Sequence, residues 1–233
     1  KVYFKQTGFT ENKVLIVGAA TGGLMALQDH ATEAKFTPSA IAAMGVGGIK
    51  PYQWPTLLQD KPGLSFGAAI DLHTRSISAQ TRVEDLEFCL RLLLTHMFSP
   101  NNDPELFSVF QKNLKESIKN KKLSPLACFT EANTEMILQH PTFFRPLTEE
   151  QVDSMQLNNI LDIYNACFGS PQDFTFAVCG NIDLETLLPL LNKTLATLPL
   201  GSATNLSKNK QPIELGFPEK AARITFDRKT QEQ

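Results

Sequence analysis

Apolar residues change their spacing abruptly between Asp173 and Pro199. Phe174 to Cys179 is a continuous β-prone run that Gly180-Asn181 stops. Leu184, Leu187, Leu188, Leu191, Leu195 and Leu198 then recur at three- and four-residue steps. The first pattern predicts a strand, and the second a helix over 184–198 with those leucines on one inward face. Asp183 sits where its carboxylate can accept from free backbone N–H groups of the first turn, and Pro199 with Gly201 marks the end.

The same reading upstream gives strands over 2–5 and 13–17, joined as a hairpin through a turn at 8–12. A small-residue loop follows over 19–23, then a helix over 34–44 that the glycine cluster Gly45, Gly47 and Gly48 ends. Residues 51–59 predict a short helix, and 64–73 with 75–81 a second strand pair. Phe66, Ala68, Ile70 and Leu72 alternate along its first strand, and Ile77 and Ala79 along its second. Helices are predicted over 83–98, with Leu86, Leu90, Leu93 and Leu94 inside, and over 105–122, with Leu106, Phe107, Phe110, Leu114 and Ile118 inside. Further helices are predicted over 124–138 and 157–168. Thr148 to Gln151 has capping-box spacing.

Strand pairs, then a run of helices, then one strand and helix fit an α+β fold with a mostly antiparallel sheet and helices packed on one face. Residues 1–200 read as one such unit. Residues 201–233 read as a polar linker over 202–218, followed at 221–227 by the first strand of a following unit. The chain opens inside a strand pattern at Lys1-Val2-Tyr3-Phe4, so an excised or processed piece is expected.

At 233 residues with 42% hydrophobic and 20% charged positions, the chain reads as an ordinary globular protein. A net charge of -2 supplies no field for a polyanion, which argues against a nucleic-acid partner. No apolar run is long enough for a membrane span. Cys89, Cys128, Cys167 and Cys179 form no C-x-x-C pair and read as small apolar side chains. There is no G-x-S-x-G elbow and no phosphate-binding G-x-x-x-x-G-K-[ST] loop. His73, His96 and His140 pair with no carboxylate at ligand spacing and read as surface or capping residues. Glu84, Asp85 and Glu87 read as charges favoured at a helix start. The lysines at 112, 115, 119, 121 and 122 read as a solvated face.

Several segments, taken in order, carry a resemblance. They are the opening Val2-Tyr3-Phe4-Lys5-Gln6-Thr7-Gly8-Phe9, the Gly22-Gly23-Leu24 loop, and the Gly45-Val46-Gly47-Gly48 helix end. The helix over 107–120, Gln139-His140-Pro141, and Arg145-Pro146-Leu147-Thr148 continue the series, and Gly180-Asn181-Ile182-Asp183 with its leucine helix closes it. The chain resembles one repeat of the insulinase/pitrilysin-type zinc metallopeptidases from about Val2 to Pro199, in the branch that includes bacterial periplasmic zinc proteases. The resemblance implies their metallohydrolase-type repeat fold and a periplasmic or secreted setting in a bacterium.

Active repeats of that family carry an inverted H-x-x-E-H on the first helix, whose histidines hold zinc while the glutamate acts as general base. This chain has none. The nearest string, His30-Ala31-Thr32-Glu33-Ala34, lacks the second histidine and is read as lying ahead of the helix. The helix over 38–44 offers Ser, Ala and Ile. No catalytic, metal or substrate-binding residue is therefore assigned here, and zinc is expected only in the catalytic half of a parent protein.

The expected role is a non-catalytic domain of a zinc metalloendopeptidase. It would help enclose a peptide or unfolded protein and orient it toward an H-x-x-E-H domain in the same or a partner chain. The peptide would add as a strand at a sheet edge. The alternative is a stand-alone binding or assembly module of the same fold. An enzyme of unrelated chemistry is disfavoured by the missing motifs.

Overall fold

The computed structural model describes residues 1–137, 141–197 and 206. The readings made for His140, for the boundary at 200, and for the linker and strand over 202–227 lie outside the described residues, Leu206 excepted.

Five strands form one sheet: β1 (Val2–Gln6), β2 (Val14–Thr21), β3 (Ser65–Ile70), β4 (Thr74–Thr81) and β5 (Thr175–Gly180), in the order β1-β5-β2-β4-β3. Only the β1–β5 pair is parallel; β5–β2, β2–β4 and β4–β3 are antiparallel. Along β2, Val14, Ile16 and Ala20 are buried while Leu15 and Ala19 are exposed, and β4 and β5 alternate in the same way. One face of the sheet thus carries the core, as the predicted α+β class requires.

The predicted hairpin between the first two strands is not formed, because β5 lies between them. Phe176 and Val178 of β5 are buried, which suits a central strand paired on both sides, whereas β1 is mostly exposed and takes the edge. Gly18 of β2 faces Phe176 in register, and a Cβ there would fall 2.5 Å from the Phe176 ring. The missing side chain leaves room for the phenyl ring.

The helices are α1 (Ala31–Met44), α2 (Trp54–Leu57), α3 (Leu86–Phe98), α4 (Pro104–Leu123), α5 (Pro125–Ile137), α6 (Pro141–Phe144), α7 (Glu149–Ser154), α8 (Leu157–Phe168) and α9 (Leu184–Lys193). Their caps follow the sequence. Asp103 accepts from the Leu106 N–H, Asp183 from the Thr186 N–H, and Thr148 with Gln151 forms the expected capping box. α1 begins three residues before its expected start, and α9 stops at Lys193, leaving Leu195 in a short 3-10 turn.

The inward face of α9 is narrower than expected. Leu187 and Leu191 are buried, but Leu184 and Leu188 are 53% and 50% exposed. Leucines spaced i, i+3 and i+4 cover two adjacent stripes of a helix, and α9 buries only one of them.

The four cysteines are free thiols, with Cys89 and Cys167 buried and Cys128 and Cys179 partly covered. Burial raises the Cys89 thiol to about 11 and the Cys167 thiol to about 12, which keeps both protonated and inert near neutrality.

Candidate functional site

The first helix is where the sequence directs attention, and its start differs from expectation. His30 is the N-cap of α1 and Glu33 lies in its first turn, so the pair sits at the helix start and not ahead of it. His30 Nδ1 lies 3.1 Å from Glu33 Oε2. A carboxylate can only accept, so this ring nitrogen carries the proton. Glu33 Oε1 accepts from Asn159 Nδ2 at 3.1 Å and from the Gln156 backbone N–H at 3.4 Å. Both carboxylate oxygens are thus occupied by protein donors, Oε2 by the N-cap of its own helix and Oε1 by donors that tie α1 to α8.

A cleft of about 470 Å³ opens over this corner, lined by Gln28, Asp29, His30, Glu33, Gln151 and Asn159 among others. Further along α1, Ala34, Thr37, Ala40, Ile41 and Met44 face the core. The Thr37 hydroxyl donates to the Glu33 carbonyl oxygen, which keeps it within its own helix. Among the described residues, no group of three or more His, Cys, Asp or Glu side chains is placed to hold a metal ion.

The other ionisable side chains do structural work that the sequence left unassigned. His96, expected at the surface or as a cap, is buried against Tyr164 and against the edge of Phe66, 4.6 Å between ring centroids. Burial pushes its imidazole down to about 4, so it is neutral at ordinary pH. Asp85, expected as a helix-start charge, is buried and bonded to Lys61 at 2.7 Å and to Arg82 at 3.1 Å. Its hydrogen bond from Lys61, followed by that from Arg82, holds its carboxyl below the usual range despite burial. Arg75 is fully buried, bonds Asp173 at 2.7 Å and lies over the Phe174 ring. Apart from Arg82, three residues before Asp85, the hydrogen-bonding partners are remote in sequence, so local spacing carries no sign of those pairings. His73 lies exposed in the β3–β4 turn.

The sheet has two edges. Asp71 N–H donates to the Thr74 carbonyl across the β3–β4 turn. By antiparallel alternation, the odd-numbered residues of β3 face β4, and the backbone groups of Phe66, Ala68 and Ile70 point away from it. Among the described residues no strand pairs with that side of β3. Ser65 and Ala69 face solvent beside it, and both are small and uncharged. Such an edge can receive an extended chain through main-chain hydrogen bonds.

Comparison with known proteins agrees with this architecture. Residues 154–233 match the family described as the Peptidase M16 inactive domain. A protein from Arabidopsis thaliana named "Zinc protease PQQL-like" is 25% identical over 221 residues, covering 94% of this chain and 20% of its own length. The chain therefore spans about a fifth of the curated relative it matches. In fold, it resembles the periplasmic protease PqqL from Escherichia coli, with a TM-score of 0.69 at 16% identity over 91% of this chain and 22% of that one. It also resembles a peptidase M16 inactive domain from Pseudomonas fluorescens, with a TM-score of 0.68 at 14% identity over 87% of this chain and 49% of that one.

Proposed function

We propose that this chain is a non-catalytic unit of an M16-type zinc metalloendopeptidase, and that it forms part of the wall around a peptide substrate. Residues 1–200 would form the unit, and residues 201–233 would connect it to a following one. The catalytic partner would carry the H-x-x-E-H site, in the same longer chain or in a second chain. Zinc would reside there, polarising the scissile carbonyl and activating water.

The observation that carries the proposal is the character of α1. Its inward residues are small or apolar, and the lone His30–Glu33 pair at its start is already engaged with α8. Held this way, α1 serves packing, and what the unit offers a peptide is surface. The open side of β3 supports strand addition, because main-chain pairing there imposes little sequence preference. Enclosure by such a wall excludes water and limits the orientations an extended peptide can take, which is how a non-reacting unit raises a rate.

The test pairs this chain with the H-x-x-E-H unit of the same longer protein, or of its neighbouring gene. Zinc content and cleavage of a fluorogenic peptide are measured for each alone and for the mixture. The expected result is neither zinc nor cleavage from this chain alone, and a severalfold gain when it joins the catalytic unit. Stoichiometric zinc with chelator-sensitive cleavage by this chain alone would overturn the reading. A catalytic unit equally active without it would favour the stand-alone binding module.

A further inference from the structure

One face of the sheet carries the core, and the other is unusual for a surface left to solvent. β2, β3, β4 and β5 contain a single charged residue, Arg75, and it is buried. Every side chain that these four strands direct away from the core is uncharged. Solvated sheet faces are normally polar, and charged side chains are among the residues most at home there. The pairing register gathers small side chains at the centre. Val17 stands between Ala177 and Ser78, with Gly67 beyond Ser78 and with Leu15 and Ala19 in the flanking rows. Leu15 is 44% exposed. At strand and same-face residue spacings of about 4.8 and 6.8 Å, the patch measures roughly 15 Å in each direction.

Charge returns at the β1 rim. Tyr3 pairs with Ala177 and Lys5 with Cys179, so β1 extends the same face. The Lys1 ammonium lies 4.5 Å from the centre of the Tyr3 ring, which places a cation on either side of that exposed tyrosine along the strand. The backbone groups of β5, β2 and β4 are spent on neighbouring strands. An extended peptide laid across this face would find no main-chain partners for its own N–H and C=O groups. A helix pairs its own backbone and needs only side-chain contact, and at about 10 Å across it fits the patch.

We propose that this sheet face is an interface whose occupant is one amphipathic helix from a neighbouring unit of a longer protein, apolar where it meets Leu15 and Val17 and acidic where it passes Lys1 and Lys5. The chain matches 20% of the length of its Arabidopsis relative and 49% of the Pseudomonas fluorescens chain, so each of those has room for such a neighbour. The small side chains of Ala19, Ala177 and Ser78 allow close approach, and no charge in the centre of the patch has to be stripped of water. The inference rests on the reading that this chain is one unit of a larger protein, and not on the chemistry which that protein performs.

Thiol labelling tests it, in this chain alone and in the longer protein that contains it, both without peptide. Ala177→Cys and Ser78→Cys serve as reporters, each combined with Cys128→Ser and Cys179→Ser so that the remaining native thiols are the buried Cys89 and Cys167. The expected result is fast labelling in the chain alone and labelling slowed roughly tenfold or more in the longer protein. Equal rates in the two overturn the proposal. Slow labelling of the chain alone overturns it as well, because a second copy or the chain itself would then cover the face. Protection that needs added peptide gives the face to substrate and discards the helix. Leu15→Lys is expected to leave the melting temperature of this chain nearly unchanged and to restore fast labelling in the longer protein; continued protection would overturn the apolar contact. Lys5→Glu should restore labelling in part, and an unchanged rate would overturn the acidic rim. Cleavage is measured separately, so protected reporters in a protein that cleaves nothing would refute the peptidase reading and leave this one standing.

Discussion

The Tyr164 hydroxyl donates to the His96 carbonyl oxygen at 2.8 Å and lies 3.0 Å from Nδ1 of the same residue. The hydroxyl has one proton, and the carbonyl takes it. The imidazole must then donate from Nδ1, which fixes its tautomer and locks α8 against α3. Tyr164→Phe leaves a buried N–H and a buried carbonyl unpaired. We expect a loss of about 1 to 3 kcal/mol, read from chemical denaturation at pH 7.5. A variant as stable as its parent would mean that this pair is not closed in solution.

His96 also gives the fold a pH dependence of known sign. Burial lowers its folded-state value to about 4 from the ordinary 6.5. Between these values the unfolded chain binds a proton that the folded chain does not. Stability is therefore full above about pH 6.5 and falls as the pH drops toward 4, by on the order of 3 kcal/mol. His96→Gln should show a flatter profile than the parent across that window. Parallel profiles for the two proteins would place the titration elsewhere.

On α9 the consequences of burial separate at adjacent positions. Leu187 is fully buried and Leu188 is 50% exposed. Leu187→Asp should unfold the protein, since an unpaired buried carboxylate costs several kcal/mol, comparable with the whole stability of a domain. Leu188→Asp should cost no more than about 1 kcal/mol. Thermal melts of the two variants decide it, and similar melts would mean the helix is rotated from its described face.

Gly18 is a packing glycine. Gly18→Ala drives a methyl into the Phe176 ring and toward Ile77, whose Cγ2 would lie 3.2 Å away. Overpacking of this kind costs about 1 to 3 kcal/mol. Pairing it with Phe176→Leu should recover part of the loss, because the ring edge is the obstacle. Melting of the single and double variants measures the recovery.

Asp85 anchors the segment before β3 to the start of α3. Asp85→Asn removes the charge facing Lys61 and Arg82, and should cost about 1 to 3 kcal/mol. Asp85 is depressed in the folded state, so its contribution is present above the unfolded-state carboxylate value and is lost as the pH falls through the folded one. The difference between parent and variant should therefore shrink below about pH 4.

Local signals in the sequence reached a long way. The caps at Asp103, Thr148 and Asp183, the β3–β4 hairpin, and the inward residues of α4 all follow from spacing and residue type. Strand order did not. Placing β5 between β1 and β2 depends on Phe176 and Val178 demanding neighbours on both sides, and no local pattern encodes which strand will supply them. The α9 face was half legible because its periodicity admits two stripes. At the candidate site, the missing second histidine was plain, whereas the hold of Asn159 on Glu33 spans 126 residues and left no local trace. His96 misled for the same reason, since its partner lies 68 residues away.

The parallel pairing of β1 with β5 also has a consequence in time. Val2 meets Phe176 and Gln6 meets Gly180, so β1 finds its place only once β5, about 170 residues later, has left the ribosome. At ~5–20 residues per second that is a wait of roughly ten to thirty-five seconds, during which Val2, Tyr3 and Phe4 have no native neighbour strand. β2, β3 and β4 can assemble in the meantime, but β1 joins the sheet late, across the long stretch of chain between Gln6 and Thr175, and such closure is slow. The early strand is thus the natural target for a chaperone, and a ribosome stalled before residue 175 would present a sheet that cannot yet close.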